Sequence, residues 1–381
     1  MESVSQSISK LLRRPKQSSA LPEELCRRFS LAEIKIATNN FDNDLVIHQW
    51  GFCRAYKGFI DDRTRTVTIK RLITKPNKGF EYLLRTEVLL LCQLRHPNLV
   101  PHIGYCIDED ENILVCEFIV NGCLFRKLLY KDHDKDPLPW KQRLKICVGV
   151  ASVLHYLHTG VKHTIIHHDV KLDNILLDEK WEAKLSDFMS SRMCPLNLST
   201  VRFVYTEEDT TYLIHGTMAQ HLDAEFLVSG ELTDKSDVYS FGVVLLQLLC
   251  CRKASHVVDW ARKRIQEGTI NEMIDPYLIG KIAPECLMIY LDIATSCIRT
   301  KGVDRPTMGE VEIELERALQ LQDSADAASK DGLDPSGEYN YPIVEYTGPA
   351  SPTPEPEDSI WDSDSTTSAD FSFNTTMPNN Q

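Results

Sequence analysis

The sequence carries a set of side chains whose types and order suit the transfer of a phosphoryl group. "VTIK" places Lys70 on a run whose alternation around Val67 and Ile69 predicts a strand. Glu87 follows on the stretch Phe80 to Leu91, where Leu83, Leu84, Val88 and Leu91 recur at helical spacing. A helix packed on the sheet there would bring carboxylate to ammonium. "IIHHDVKLDNILL", residues 165–177, sets Asp169, Lys171 and Asn174 in a loop between apolar runs, and "LSDFM" ends a further short run at Asp187. The chemistry follows from charge. A transferring phosphoryl group is a dispersed anion, fixed cations must meet it, and a bound metal ion needs oxygen ligands. Singly, each residue has a bland explanation, since a strand lysine is usually a solvated charge and His-x-Asp recurs by chance. The ordered set is much harder to produce by accident.

These residues need a frame. Short strands are predicted at Leu45–Ile47, Arg54–Phe59, Thr66–Arg71, His102–Ile107 and Ile113–Phe118, with a leading helix in "FSLAEIKIATNNF" that stops at Asn39-Asn40. Helical spacing then dominates, in Trp140–Leu157 and in Val238–Cys250, the latter apolar on most faces. A strand-rich first third followed by helices predicts an α+β protein of two lobes with its ligand in the cleft between them. The expected boundaries are a disordered polar and basic segment at 1–28, an N-lobe at 29–118, a C-lobe at 119–321 and a disordered acidic Ser/Thr/Pro tail at 322–381.

From Asp323 onward, twelve acidic residues face the single Lys330, which accounts for −11 of the −13 net charge and leaves the folded part nearly neutral. Nothing in that balance points to nucleic acid. The 12 cysteines show no CxxC pair and are read as reduced thiols of a cytosolic or nuclear protein, several of them in the core. No run is long and apolar enough to span a bilayer. "SKLLRRPK" offers at most marginal peripheral contact with an anionic surface, so the expected setting is the cytoplasm, or the inner face of the plasma membrane through partners.

Residues 29 to about 319 resemble the protein-kinase domain of plant receptor-like kinases, closest to the Feronia-like group. The resemblance rests on "FSLAEIKIATNNF", "YKGFIDDRTRTVTIKRL", "HTIIHHDVKLDNILLDEKWEAKLSDF" and "NLST". With no ectodomain or membrane span in view, the chain is similar to a receptor-like cytoplasmic kinase. The resemblance implies ATP with Mg²⁺ as cofactor, and receptor-like kinases or signalling adaptors as protein partners. By it, Lys70 holds the α and β phosphates and Glu87 orients Lys70. Asp169 accepts the substrate hydroxyl proton, Lys171 steadies the γ phosphate, and Asn174 and Asp187 hold Mg²⁺. Cys116 takes the gatekeeper position before a hinge, Glu117 to Ile119, whose backbone binds adenine, and Ile47, Gly51 and Ala55 border the nucleotide. Asp237 anchors the catalytic loop, and Arg305 pairs with Glu225.

Departures from that pattern cluster at four places. Each glycine of the phosphate-cradling loop is replaced, by His48, Trp50 and Cys53, although Gly51 stands one position along. Glycine serves there because backbone N–H groups must approach phosphate closely. His168 replaces the arginine before Asp169, as in kinases not controlled through that arginine, many of which act in innate immunity. Met189 replaces the glycine after Asp187-Phe188, and "GTMAQHLDAEF" departs from the substrate-platform motif. Two function classes follow. One is a slow but active serine/threonine kinase, since every ionic catalytic residue is present. The other, favoured by the clustering, is a pseudokinase that binds partners as scaffold, decoy or allosteric element and keeps residual ATP binding.

Overall fold

The chain enters its fold through a strap. The computed structural model describes residues 26–50, 53–73, 87–88, 90–108, 111–130, 136–194, 200–202, 220–328 and 339. Arg27–Arg28 form strand β1, which runs parallel to β5 (His102–Asp108) with Arg27 opposite Gly104. A Cβ on residue 104 would stand 2.1 Å from the Arg27 carbonyl oxygen, so only glycine lets the strap lie this close. Helix α1 (Leu31–Ala37) begins at a reciprocal cap, in which the Ser30 side chain accepts from Glu33 N and the Glu33 carboxylate from Ser30 N. It ends where expected, at Asn39, Asn40 and Phe41, all with positive φ.

Strands β2 (Val46–Trp50), β3 (Cys53–Ile60), β4 (Arg65–Leu72) and β6 (Glu111–Glu117) join β1 and β5 in a sheet of order β1-β5-β6-β4-β3-β2. The strand expected at Leu45 starts one residue later, because the Asp42 carboxylate accepts from Asp44 N and winds Asn43–Leu45 into a single 3₁₀ turn. Period-two alternation sorts the sheet's faces. Val67 and Ile69 pack with Ile34 and Ala37 of α1, while Leu72, Leu114 and Cys116 pack toward Val88 and Leu91. Lys70, between Ala55 and Leu114 in register, points with the second group.

The second lobe is helical: α2 (Leu124–Leu129), α3 (Trp140–Thr159), α4 (Ala224–Ser229), α5 (Asp234–Cys250), α6 (Val257–Gln266), α7 (Pro284–Cys297) and α8 (Met308–Ala328). Nearly every residue of α5 is buried, as its all-round apolar sequence demands. Short strands hold the chemistry-bearing loops: β7 (Ile165–Ile166), β8 (Ile175–Leu177) and β9 (Ala183–Leu185), with β8 and β9 antiparallel. Ordered chain exceeds the expected lobe limits at both ends. Cys26–Arg28 already belong to the strap, and α8 continues past 321 to Ala328. Tyr339 is also described, its N–H donating to Gly280 O at 2.8 Å, and the rest of the segments expected to be disordered lies outside the described residues. Among those described, no helix is long and apolar enough to cross a membrane.

Two sequence expectations need correction. Cys26 and Cys92 form a disulfide, so the cysteines are not all free thiols, although the other ten are. Arg305 pairs with Asp223 through Nη1 at 2.6 Å and Nη2 at 2.7 Å, and only reaches Glu225 at 4.0 Å. The reason is geometric. Asp223 is the N-cap of α4 and faces inward, whereas Glu225 lies on the outer side of that helix and accepts from Gly302 N at 2.6 Å.

Removing charge from a buried pair leaves the partner uncompensated, so Asp223→Asn should cost about 3 to 5 kcal/mol of stability. Glu225→Gln should cost about 1 kcal/mol or less, since only a half-exposed hydrogen bond is weakened. Urea denaturation distinguishes them. Equal losses would restore the Glu225 pairing.

Candidate active site

The loop bearing Asp169 is fixed from below by one carboxylate. Asp237, fully buried in the first turn of α5, accepts from His167 N and His168 N, both at 2.8 Å, and contacts His158 Nε2 at 2.8 Å. Burial alone would raise its pKa. The His158 hydrogen bond and the neighbouring imidazoles outweigh this and hold it below the ordinary value. His167 accepts from Asp169 N through Nδ1 at 3.3 Å and meets the Ser186 carbonyl with Nε2 at 3.2 Å, which defines a neutral imidazole with its proton on Nε2. Asp169 is therefore set by Asp237 acting through the loop backbone and His167. His168 and Asp187 both adopt φ of 66°, a left-handed conformation that side chains rarely take and that the surroundings must enforce.

The expected ionic residues converge. Lys70 Nζ lies 3.2 Å from Glu87 Oε2 and 3.0 Å from Asp187 Oδ1, all three groups being nearly buried. Phe188 N donates to Glu87 Oε1 at 3.1 Å, so Glu87 ties the lysine to the backbone after Asp187. Burial, opposed by Lys70 and reinforced by Asp187, pushes the Glu87 carboxyl up. For Asp187 burial acts the same way, but Lys70 and then Lys171 outweigh it and hold the carboxyl down. The lysine thus stands between two carboxylates, an imbalance that a cation would relieve. Lys171 Nζ sits 2.8 Å from Asp169 and bonds to its Oδ2. Asn174 Nδ2 donates to the Asp169 carbonyl at 2.8 Å and to Oδ2 at 2.9 Å. Asp169 Oδ1 is buried and faces the Lys171 ammonium at 2.8 Å. With its amide nitrogen spent on Asp169, Asn174 has its oxygen to offer a cation beside Asp187. The donor set fits a hard divalent ion.

The nucleotide end is less open. Cys53 is buried to 1%, and burial pushes its thiol up to about 12, with Lys70, Asp187 and Glu87 the charges nearest to it. A buried side chain thus stands where the resembled loop has glycine. His48 lines a cavity of about 770 Å³ together with Val120, Gly122, Cys123, Arg126 and Asp173, at the hinge end of the cleft. Ala55, Cys116 and Ile119 are buried, while Ile47 is 36% exposed. The Glu117 amide already donates to Pro101 O at 2.9 Å, which leaves its carbonyl as the group it can offer a base. Gly51 lies outside the described residues. Met189 is 1% exposed, a side chain packed where glycine would leave the segment free to swing.

Residues 46–315 match the family described as protein tyrosine and serine/threonine kinase. The receptor-like protein kinase FERONIA of Arabidopsis thaliana is 46% identical over 322 residues, which cover 82% of this chain and 35% of the relative. ANXUR2 of the same plant is 46% identical over 320 residues, covering 81% of this chain and 36% of the relative. THESEUS 1, also from Arabidopsis thaliana, is 42% identical over 312 residues, covering 80% and 35%. The chain therefore spans about a third of the length of these relatives.

Sequence reasoning missed His158, Asp223 and Ser191, whose hydroxyl donates to the His167 carbonyl at 3.0 Å. Only Asp223, beside the expected Glu225 in "LDAEF", carried a readable signal. His168 replaces a permanent cation with a group that burial, followed by Arg192, pushes down to about 4 from 6.5. A histidine depressed in the folded state gives stability that is present above its unfolded pKa and lost as pH falls toward the folded one. Acidifying from pH 7 to pH 5 should cost about 2 kcal/mol through this residue. His168→Gln should remove that share of the acid loss, as read by urea denaturation at both values. An unchanged acid loss in the variant would contradict a neutral, buried His168.

Proposed function

The chain belongs to the protein tyrosine and serine/threonine kinase family, among its receptor-like members, and on that premise we propose that it is a catalytically impaired signalling protein. In this reading it holds MgATP loosely, transfers phosphate poorly, and acts through protein partners as scaffold, decoy or allosteric element. The observation that carries the proposal is Cys53, a side chain buried to 1% on β3 opposite Leu72, at a position that should be bare backbone. A Cβ there keeps backbone N–H groups from closing on phosphate.

MgATP, when bound, supplies the phosphoryl group and the positive charge that the carboxylates lack. Lys70 is placed to neutralise phosphate oxygens, with Glu87 holding its ammonium in position. Asn174 and Asp187 offer oxygens to the cation. Asp169 is placed to take a substrate hydroxyl proton, and Lys171, 2.8 Å from each of its carboxylate oxygens, orients it. His168, neutral and with its ring edge-on to Phe226 at 4.9 Å, is a poor partner for a phosphorylated loop. Control by such phosphorylation is accordingly lost. Receptor-like kinases or adaptors are the partners this reading favours, in receptor-proximal and immune signalling, on the cytoplasmic side of the membrane.

The complete ionic set favours a second reading, a slow serine/threonine kinase. One experiment separates the two. Purified protein is given MgATP and a generic protein substrate beside an Asp169→Asn variant. The proposal predicts no transfer above the variant, with a melting-temperature rise on adding MgATP; clear transfer abolished by Asp169→Asn would establish the slow kinase. Restoring glycine at 48, 50 and 53 together should tighten ATP binding at least about tenfold, by the loss of obstructing Cβ atoms. No gain would show that the loop is not what limits the site.

A further inference from the structure

The Cys26–Cys92 bond closes a sequence separation of 66 residues and joins two parts of the fold with different tasks. Cys26 leads directly into β1, which is held to β5 by the Arg27–Gly104 register and by Phe29 N donating to Tyr105 O at 2.8 Å. Cys92 lies on the helical residues 90–93, just beyond Glu87, the carboxylate that holds Lys70. A third residue faces the pair. The Cys26, Cys92 and His102 atoms able to bind or accept lie within 4.8 Å of one another. His102 Nε2 is buried with no hydrogen-bond partner among the described residues, while Nδ1 on the other edge of the ring lies 3.9 Å from Cys116 Sγ.

We propose that Cys26 and Cys92 are a redox-responsive pair, opened by thiol reductants and closed by disulfide oxidants, that fixes the helix carrying Glu87. Where the surroundings are reducing, disulfides are usually transient and sensing rather than structural. Cys26 is partly exposed and Cys92 is 5% exposed, so an incoming thiolate meets the Cys26 sulfur first. Its attack breaks the Cys26–Cys92 bond, forms a mixed disulfide on Cys26 and releases the Cys92 thiolate, which takes a proton. A second thiolate of the reductant then frees Cys26. Two electrons and two protons have passed to the pair, and the reductant leaves as its own disulfide. Closure is the reverse, with oxidised glutathione as the class of oxidant. Burial pushes the pKa of His102 down to about 4, so the ring beside the pair is neutral near pH 7. Opening removes the covalent anchor of the helical residues 90–93 and loosens nearby Glu87 from Lys70. The consequence for nucleotide binding rests on the reading of the previous subsection, but the bond and its effect on the helix do not.

The test equilibrates the full chain in buffers of rising oxidised-to-reduced glutathione ratio, alkylates free thiols and maps peptides by mass spectrometry. The expected result is one transition from alkylated Cys26 and Cys92 to a cross-linked peptide. The closed form should melt about 5 °C higher, and amides 87–93 should exchange hydrogen about tenfold slower. Cys26→Ser should abolish both differences. Alkylation of both thiols at every ratio would overturn the proposal, as would a cross-link that leaves exchange at 87–93 equal to that of Cys26→Ser. So would one equivalent of zinc retained by the reduced chain and blocking closure, which would make the Cys/Cys/His group a metal site instead. A chain that closes as described yet binds no ATP analogue in either state would sink the nucleotide reading and leave the pair standing.

Discussion

The carboxylate of Asp237 is the point on which the site depends. It is buried in the helix that forms the centre of the C-lobe, and its two oxygens are occupied by the backbone of residues 167 and 168 and by His158. Everything above it inherits that constraint. The left-handed turn at His168, the His167 tautomer and the placing of Asp169 follow from a backbone that has no other low-energy way to satisfy a charge in a dry interior. A carboxylate this enclosed is costly to keep unless all its partners are present. Its retention therefore says that the loop is held, not that the loop is used.

The other ionic groups divide in the same way. Arg305 with Asp223 and Arg143 with Asp275 are buried pairs that brace the C-lobe. Lys70, Glu87 and Asp187 are buried too, but two carboxylates face one ammonium, a balance suited to binding a cation. Such clusters serve chemistry rather than stability. Against this intact ionic set stands the apolar side of the site. Cys53 and Met189 are packed where the resembled motifs have glycine, so the proposed impairment rests on backbone approach and movement while charge is preserved. That asymmetry is why the chain can look catalytic by its charged residues and impaired by its glycines.

Much of this was legible in the sequence, for physical reasons that differ by residue. The strand around Lys70 announced itself through period-two alternation, and the central helix through an unbroken apolar run; both are local signals. Where expectation failed, the deciding interaction was not local. The choice of Asp223 over Glu225 by Arg305 depends on which side of a short helix each faces. The Cys26–Cys92 bond depends on a strap docking beside Gly104, far away in sequence, and no spacing rule for cysteines encodes it. His158 reads as an ordinary residue near a helix end, and only the fold brings it to Asp237.

The central claim is that the site has lost its hold on phosphate while keeping its place for a base. Calorimetric titration of the purified chain with adenosine and with ATP, each in excess Mg²⁺, tests it most directly. The account predicts that the triphosphate adds little, less than about tenfold in affinity over adenosine, or roughly 1.4 kcal/mol. An ATP affinity a hundredfold or more above that of adenosine would contradict it and show that Lys70 and the metal-binding oxygens grip phosphate without the loop.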